Sequence, residues 1–373
     1  MAESINDKSG RLWSLDALRG FDMMFLMGFG GIIYELSALI YGTYDGWLGL
    51  QMKHVAWEGF RQHDTIFPLF IFLSGVSFPF SYAAAAARGM GRGAVMLKAT
   101  KRLILLFLLG LLYNGALALD FDKIRYASVL ARIGCAWYGA VILYMLIRNV
   151  RLRFMISVTM LLAYWAICFF LTAPDAPPNA GAFSEAGCFV GYVDRLFLPG
   201  RFAGKYFDPE GFLSIFPSVS LAMFGMFAGE VVARKDLTGN RKALVLASAA
   251  AVSLVITFIW LPWCPIVKKI WTPTFITASA AYSLALFAVF YWIVDVLKFR
   301  RWTFPLRVIG MNAITVYLLY RIVSISSIAK FFFGGVISLF PDALSSLLLN
   351  MAILSVGWLI LLFLYRKETF LRV

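Results

Sequence analysis

The stretch DTIFPLFIFLSGVSFPFSYAAAA, residues 64–86, decides the fold class of this chain. Its 23 residues carry one charge, on Asp64 at the first position. About 20 consecutive apolar residues are enough for a helix to cross the hydrocarbon core of a bilayer. The stretch therefore predicts a transmembrane helix that begins at Asp64.

Apolar runs of similar length recur along the whole chain. Of its 373 residues, 61% are hydrophobic and 14% are charged, and the mean hydropathy is +0.80. Soluble domains carry about 25% charged residues. The sequence predicts an all-α, polytopic integral membrane protein that forms one transmembrane domain over residues 1–373. The ten predicted spans are 15–40, 64–86, 102–119, 127–147, 154–173, 212–233, 243–262, 273–297, 308–328 and 343–365.

The distribution of basic residues predicts the orientation of these spans. The segments that would share a side with both termini hold 21 Lys and Arg residues, and the alternate segments hold 10. Because cytoplasmic loops are enriched in Lys and Arg, both termini are predicted to be cytoplasmic. The net charge of +14 then sets topology and does not indicate a nucleic-acid partner. The longest outer loop is predicted at 174–211, and FFFGGVISLF (331–340) is too short to cross.

The chain has two histidines, His54 and His63, and both lie in one predicted outer loop. A histidine can exchange a proton near neutral pH or act as a nucleophile. An interfacial histidine with a polar tip in water is the alternative for each of them. Asp64 follows His63 directly, and a carboxylate there can both cap the second span and orient an imidazole. His54 and Asp64 are therefore candidate catalytic residues, with Trp57 beside them in the same loop as a candidate binding residue.

Charged residues also interrupt the first predicted span. Asp16, Arg19 and Asp22 are spaced by three residues, which puts them on roughly one face of a helix. Charges within a span are costly and usually face a cavity or one another. The three residues therefore form either an ion-paired structural cluster or a pocket for a charged ligand. Gly30 follows them, where a glycine permits close helix packing or the close approach of a ligand.

Other polar residues lie inside predicted spans. Arg132 in the fourth span is a candidate ligand contact, because an unpaired buried guanidinium is costly. Asn312 in the ninth span is a second candidate, although a helix–helix hydrogen bond also explains it. The FDPEG stretch at 207–211 predicts a helix start with Asp208 as the N-cap. No Cys/His cluster has metal-ligand spacing, so no metal site is predicted.

Six stretches of the chain, taken in order, resemble the heparan-alpha-glucosaminide N-acetyltransferase family and its bacterial relatives. The chain looks most like the bacterial inner-membrane subgroup that is associated with N-acetylglucosamine use. The stretches extend from residue 11 into the ninth predicted span and are RLWSLDALRGFDM, KHVAWEGFRQHDTIFPLFIFLSG, VLARIGCAWYGA, FDPEGFLSIFPSVSLAMFGMFAGE, KKIWTPTFI and GMNAITVY.

The resemblance implies that acetyl-CoA supplies an acetyl group from the cytoplasm to the amino group of glucosamine or of a terminal glucosaminide on the periplasmic side. It places the family's essential histidine at His54 and a family carboxylate at Asp64. Animal members of the family carry an asparagine in the first span, whereas the aligned position here is near Gly30, which has no amide. The resemblance also implies a homodimer in the bacterial inner membrane.

Two mechanisms and two other functions stay open. His54 either takes the proton of the amine or forms an acetyl-imidazole intermediate. Direct transfer is the preferred hypothesis, because it needs one state of the pocket. Lys98, Lys101 and Arg102 at the cytoplasmic rim are candidates to bind the phosphates of CoA, although they also suit plain topology signals. The alternative functions are an amino-sugar transporter and an O-acyltransferase that acts on a periplasmic glycan.

Overall fold

A computed structural model describes residues 12–120 and 122–371 of the chain, and within these ranges it is helical and contains no β-strand. Three isolated β-bridges join loop residues. The helices are α1 Trp13–Tyr41, α2 Trp47–Gln51, α3 Ile66–Ala87, α4 Arg92–Tyr113, α5 Val129–Leu146, α6 Val150–Phe170, α7 Phe189–Phe197, α8 Ile215–Ala233, α9 Gly239–Trp260, α10 Pro273–Phe290, α11 Phe304–Gly310, α12 Ala313–Ile322, α13 Ile325–Ile337 and α14 Asp342–Arg366.

Length and composition mark eight helices of the described ranges as able to cross a membrane, or nine if α11 and α12 together form one bent span. The prediction of an all-α, multi-pass membrane protein is therefore confirmed. The eight are α1, α3, α5, α6, α8, α9, α10 and α14.

The third predicted span, 102–119, falls on α4 but is displaced along the sequence. α4 begins at Arg92 and ends at Tyr113. Four basic residues lie in its first half, so it is not among the eight helices that are apolar enough to cross a membrane. Asn114 ends the helix because its amide donates to the Arg125 and Ala127 carbonyls at 2.7 and 2.9 Å. The chain then turns away through Gly115, which has a φ of +90°.

The ninth predicted span, 308–328, is broken rather than continuous. α11 and α12 are bent by 58° at the break between them, and α12 ends at Ile322. Close packing fixes α11 against α1, because a Cβ atom on Gly310 would lie 1.9 Å from the Asp16 carbonyl oxygen. The short stretch at 331–340 falls mainly in α13, which has 13 residues and is too short to cross.

The first span is a single helical run with a wide turn in its middle. Residues Phe25–Phe29 form a π-helical turn, and Gly28 within it has a φ of +127°. A Cβ atom at Gly28 would come within 3.3 Å of the Asn350 carbonyl oxygen in α14. Glycine is therefore required there by the backbone conformation and by the neighbouring helix together.

The core of the bundle is the packing of α3 on α8. A Cβ atom on Gly75 would lie 2.1 Å from the Ala222 carbonyl oxygen, and one on Gly225 would lie 2.0 Å from that of Phe72. Small residues at both surfaces let the two backbones approach closely, as is common between membrane helices. This rigid pair supports Asp64, which is two residues before α3.

Candidate active site

The loop between α2 and α3 carries both histidines and is held against the segment between α9 and α10. Gly59 donates its backbone N–H to the Ile266 carbonyl at 2.9 Å, and Glu58 pairs with Val267 as an isolated β-bridge. Gly59 has a φ of +130°, a backbone conformation that favours glycine. Two loops that are far apart in sequence are thereby fixed to each other at one end of the bundle.

His54 faces the buried carboxylate of Asp64. Nδ1 of His54 lies 2.8 Å from Oδ1 of Asp64, and the backbone N–H of Val55 donates to Oδ2 at 3.4 Å. The Asp64 side chain is 1% exposed, whereas the His54 side chain is 54% exposed. A carboxylate at Nδ1 orients the imidazole and leaves Nε2 as its second reactive nitrogen. The pair has the geometry of a histidine base oriented by a buried acid.

Lys268 joins this pair from a distant part of the chain. Its Nζ lies 3.1 Å from Oδ1 of Asp64 and 3.0 Å from Nδ1 of His54, and its side chain is 19% exposed. An ammonium group can only donate hydrogen bonds. Either His54 Nδ1–H and Lys268 both donate to Asp64, which leaves Nε2 as a free base, or Nδ1 accepts from Lys268 and Nε2 carries the proton.

The neighbours of Asp64 and Lys268 affect the ionisation of both groups. Burial alone would raise the pKa of Asp64, but the hydrogen bond from His54 and the ammonium of Lys268 lower that pKa below its ordinary value. Burial lowers the pKa of Lys268, and the neighbouring Asp64 carboxylate partly offsets this effect. Asp64 is therefore ionised at neutral pH and is able to stabilise a positive charge on His54.

His63 packs beside His54 in a drier environment. The two ring centroids are 4.5 Å apart, with the ring planes at 50°. Nδ1 of His63 is buried and has no hydrogen-bond partner among the described residues. Burial, together with the positive charges of His54 and Lys268, lowers the pKa of His63 to about 4. His63 is therefore neutral at physiological pH.

Trp57 joins the histidine loop to the long segment between α6 and α8. Its indole N–H donates to the Phe183 carbonyl at 2.8 Å, and its ring contacts Phe207 with centroids 5.5 Å apart. Nζ of Lys269 lies 5.6 Å from the centroid of the indole ring. The predicted outer loop, 174–211, therefore packs directly beside the histidine loop.

Arg132 binds the residues that precede α8 and lies close to the segment that carries Lys268. Its Nη2 donates to the Gly211 carbonyl at 3.1 Å and also to the Ser214 hydroxyl. Its guanidinium carbon lies 4.6 Å from the ring centroid of Trp271, three residues after Lys268. Its Nε and Nη1 are buried and have no hydrogen-bond partner in the part of the chain that the structure describes. The predicted binding residue Arg132 thus lies beside the segment that carries Lys268, and two of its N–H groups have no partner among the described residues.

The predicted helix start at Asp208 is wrong. α8 begins at Ile215. Asp208 accepts hydrogen bonds from Nε and Nη2 of Arg125 at 2.7 and 2.5 Å, and also from the backbone N–H groups of Glu210 and Ala203 at 2.9 and 3.1 Å. Arg125 also pairs with Glu210. Burial alone would raise the pKa of Asp208, but the Arg125 guanidinium lowers it below its ordinary value. The Asp208 carboxylate therefore holds the turn at 207–211 through its own backbone and joins that turn to Arg125 in a bidentate ion pair.

Comparisons with known proteins show the family of this chain. The family model described as heparan-alpha-glucosaminide N-acetyltransferase, catalytic, matches residues 11–262. The chain belongs to this family. It is 25% identical to the heparan-alpha-glucosaminide N-acetyltransferase of Mus musculus, over 85% of this chain and 54% of the mouse protein. It is 26% identical to that of Homo sapiens, over 83% of this chain and 52% of the human protein, so it spans about half the length of these relatives.

The match to the heparan-alpha-glucosaminide N-acetyltransferase family includes the histidine loop but ends before Lys268. His54, Trp57 and Asp64 fall within residues 11–262, whereas Lys268 lies six residues beyond. From the sequence alone, Lys268 counts only as one charge of a predicted outer loop. Since 214 positions separate Lys268 from His54, no local spacing indicates their contact. The one sequence signal for Lys268 is that it begins KKIWTPTFI, a stretch that resembles the family.

The charged residues of α1 in this family member do not act as one cluster. Asp16 and Arg19 pair at 3.4 Å, and Arg19 also donates to the Ser77 hydroxyl in α3. Asp22 is fully buried, and neither of its carboxylate oxygens has a hydrogen-bond partner among residues 12–120 and 122–371. Six residues rotate an α-helix by about 600°, so Asp16 and Asp22 point about 120° apart. Asp16 and Arg19 fit the structural alternative, and Asp22 stays outside their pair.

Gly30 and Asn312 lie at irregular points of their helices. A Cβ atom on Gly30 would approach Sδ of Met52 to 3.7 Å, so Gly30 borders the start of the histidine loop. Asn312 donates from Nδ2 to the Val308 carbonyl at 2.9 Å, while its buried Oδ1 has no partner within the described ranges. Asn312 thus binds the backbone of α11 at the break between α11 and α12. No hydrogen bond of the described residues joins it to His54.

Proposed function

We propose that this protein is a membrane-bound N-acetyltransferase. It moves the acetyl group of acetyl-CoA to the amino group of glucosamine or of a terminal glucosaminide, and His54 acts as the general base. The observation that carries the proposal is the 2.8 Å contact between Nδ1 of His54 and the buried Asp64 carboxylate. Membership of the family supports acyl transfer to an amine, and the exposed imidazole is accessible to an acceptor.

An ammonium nitrogen has no free electron pair, so the acceptor reacts as the neutral amine, after its ammonium form has released one proton to water. The attack then gives the amine nitrogen a positive charge, and a base is needed to remove a proton from it. As the amine nitrogen bonds to the acetyl carbon, Nε2 of His54 takes a second proton from that nitrogen. The C–S bond of the thioester then breaks, and His54 returns this proton to the departing CoA thiolate. Asp64, which its neighbours keep ionised, stabilises the imidazolium between these steps.

Lys268 has two roles in this proposal. Its ammonium, 3.1 Å from Oδ1 of Asp64, helps to keep that carboxylate ionised. The attack on the thioester also places negative charge on the carbonyl oxygen, which requires a hydrogen-bond donor. An ammonium has three N–H donors, and Asp64 occupies one of them. We assign the donor for the oxyanion to Lys268.

A two-step route through acetyl-imidazole is the second mechanism. In that route Nε2 of His54 attacks the thioester first, and the amine then takes the acetyl group from the ring. Incubation of the protein with labelled acetyl-CoA in the absence of an amine separates the two routes. Direct transfer predicts no label on the protein. A label on His54 would favour the two-step route.

The proposal includes the sidedness that the charges predict, with acetyl-CoA bound from the cytoplasm and the sugar from outside. Of the three rim residues named as phosphate ligands, Lys98 and Lys101 have exposed side chains. Arg102 instead turns toward α5, with its guanidinium carbon 4.3 Å from the ring centroid of Trp137. Residence in the bacterial inner membrane and assembly as a homodimer belong to the same proposal and rest on the resemblance.

The test is acetyl transfer by the purified protein. Labelled acetyl-CoA and glucosamine are supplied to the parent, His54→Ala and His63→Ala. Labelled N-acetylglucosamine from the parent and from His63→Ala, but not from His54→Ala, is the expected result. Glucose in place of glucosamine serves as the control for O-acylation. A parent that forms no acetylated product but carries glucosamine across proteoliposomes would replace this proposal with a transporter.

A further inference from the structure

The side of the bundle between α6 and α9 carries a large apolar groove. The groove has a volume of about 1350 Å³, and its floor is formed by α8 together with part of α10. Its walls are apolar side chains of α6 and α9, such as Met155 and Val252, which are 62% and 58% exposed. His54, Asp64 and Lys268 do not line it, and the proposed acetyl transfer does not use it.

The groove is closed at one end and open at the other. At the closed end the rings of Trp165 and Trp260 are 6.1 Å apart, and the indole N–H of Trp165 donates to the Trp263 carbonyl at 3.2 Å. These contacts bring the end of α6 against the end of α9. From there the groove extends to the start of α6, where Val150, Arg151 and Phe154 line it.

The open end of the groove is positively charged. Arg151 and Arg234 line it, and Arg151 makes no ion pair with any residue that the structure describes. Arg234 shares an exposed ion pair with Asp236, at 2.5 Å. Glu230 also lines this end, but Arg153 neutralises it at 2.7 Å. Three arginines and two carboxylates therefore leave this end with a net charge of +1, and an apolar channel that ends there complements a molecule with apolar chains and an anionic head.

We propose that this groove binds a phospholipid with an anionic headgroup. Its phosphate lies against Arg151 and Arg234, and its acyl chains run between α6 and α9 toward Trp260. The arginines at the open end favour an anionic lipid over a second copy of this chain, because that copy would itself carry a net charge of +14.

Lipid retention by the purified full-length protein tests the headgroup contact. Native mass spectrometry counts bound lipids after titration with phosphatidylglycerol or phosphatidylcholine. The parent is expected to retain phosphatidylglycerol preferentially, and R151Q/R234Q is expected to reduce that preference by roughly 30-fold. The matched control R88Q/R241Q removes two exposed arginines outside the groove and should keep it. Equal retention of both lipids by the parent, or equal loss in both double variants, would overturn the proposal.

A second pair of variants tests the apolar part of the groove. Ala249 lines the groove, whereas Ala247 is exposed on another face of α9. Ala249→Trp is expected to block lipid retention, and Ala247→Trp is expected to leave it intact. If Ala249→Trp leaves lipid retention unchanged but separates a dimer into single chains, the groove is an interface between two copies and the lipid proposal fails.

Discussion

Replacement of Asp64 by asparagine tests the histidine–carboxylate pair most directly. The new side chain keeps its size but loses the charge that lies 2.8 Å from Nδ1 of His54 and 3.1 Å from Nζ of Lys268. An amide is able to donate its own N–H to Nδ1, and so is Lys268. Both contacts favour the tautomer with the proton on Nε2. That tautomer has no free electron pair at Nε2 and cannot take a proton from the amine.

The expected loss of rate follows from this change of tautomer. In enzymes with a Ser-His-Asp triad, the equivalent substitution lowers kcat by about 10⁴-fold while leaving the geometry intact. We expect Asp64→Asn to lower kcat for labelled acetyl transfer by about 10³- to 10⁴-fold, or about 4–5.5 kcal/mol in activation free energy. KM should change little, because the carboxylate acts through His54 and does not contact the sugar.

Stability must be separated from activity in this experiment. Asp64→Asn leaves the ammonium of Lys268 without its carboxylate, at a cost of about 1–3 kcal/mol for a charge that keeps some access to water. Lys268→Met added to Asp64→Asn should restore the thermal unfolding midpoint without restoring the rate. Asp175→Asn breaks the exposed ion pair with Arg195 and should leave both unchanged. A folded Asp64→Asn protein that keeps more than about a tenth of the parent kcat would refute the reasoning.

Three further substitutions have defined outcomes. The pKa of His63 is lowered from 6.5 to about 4, so the unfolded chain binds an extra proton between these values and stability falls as the pH falls through them. His63→Gln should therefore reduce the fall in the free energy of unfolding between pH 6.5 and 4 by about 1–2 kcal/mol. An unchanged dependence of this free energy on pH would contradict the prediction. Asp22→Asn should raise the free energy of unfolding by about 1–2 kcal/mol, since it removes a buried carboxyl without a partner; a lower unfolding midpoint would count against it. Gly225→Ala should cost about 1–3 kcal/mol, because its Cβ would lie 2.0 Å from the Phe72 carbonyl oxygen. Gly93→Ala, which meets open space, should not lower the midpoint, and equal effects of the two alanines would contradict the packing argument.

Most spans were predictable because each carries its own signal, whereas the third is displaced along the sequence and the ninth is broken. Ile66–Ala87 contains no charged residue, so its helix is evident from length and composition. The pairing of His54 with Asp64 was also accessible, since ten positions of one loop separate them. Both inferences use information that lies close together in the sequence.

The features that the sequence did not indicate depend on distant partners. Lys268 reaches His54 across 214 positions, and no local pattern distinguishes it from Lys269. Asp208 followed by Pro209 resembles a helix start, but α8 begins only at Ile215, and Arg125 from another segment also binds the carboxylate. These contacts join residues that are 214 and 83 positions apart, so no local pattern indicates them.

The segment that carries Lys268 is strained, and the strain has an identifiable use. Lys268–Ile270 form a single 3₁₀ turn, and Trp271 directly after it has a φ of +53°. A bulky residue in this left-handed region costs about 1–2 kcal/mol and persists only where its surroundings enforce it. Here the hydroxyl of Tyr164 donates to the Ile270 carbonyl at 2.6 Å, and Arg132 covers the Trp271 ring.

The same turn is closed from its other end. The backbone N–H of Val267 donates to the Thr272 hydroxyl at 2.9 Å, and the bridge between Glu58 and Val267 ties the segment to the histidine loop. Lys268 therefore has little freedom to leave Asp64, although 19% of its side chain is exposed. A lysine on a flexible loop would lose side-chain entropy each time it met the carboxylate, whereas here that cost is met when the protein folds. The hydrogen bond from His54 and the fixed ammonium of Lys268 together keep the buried Asp64 carboxylate ionised beside the histidine that we propose as the base.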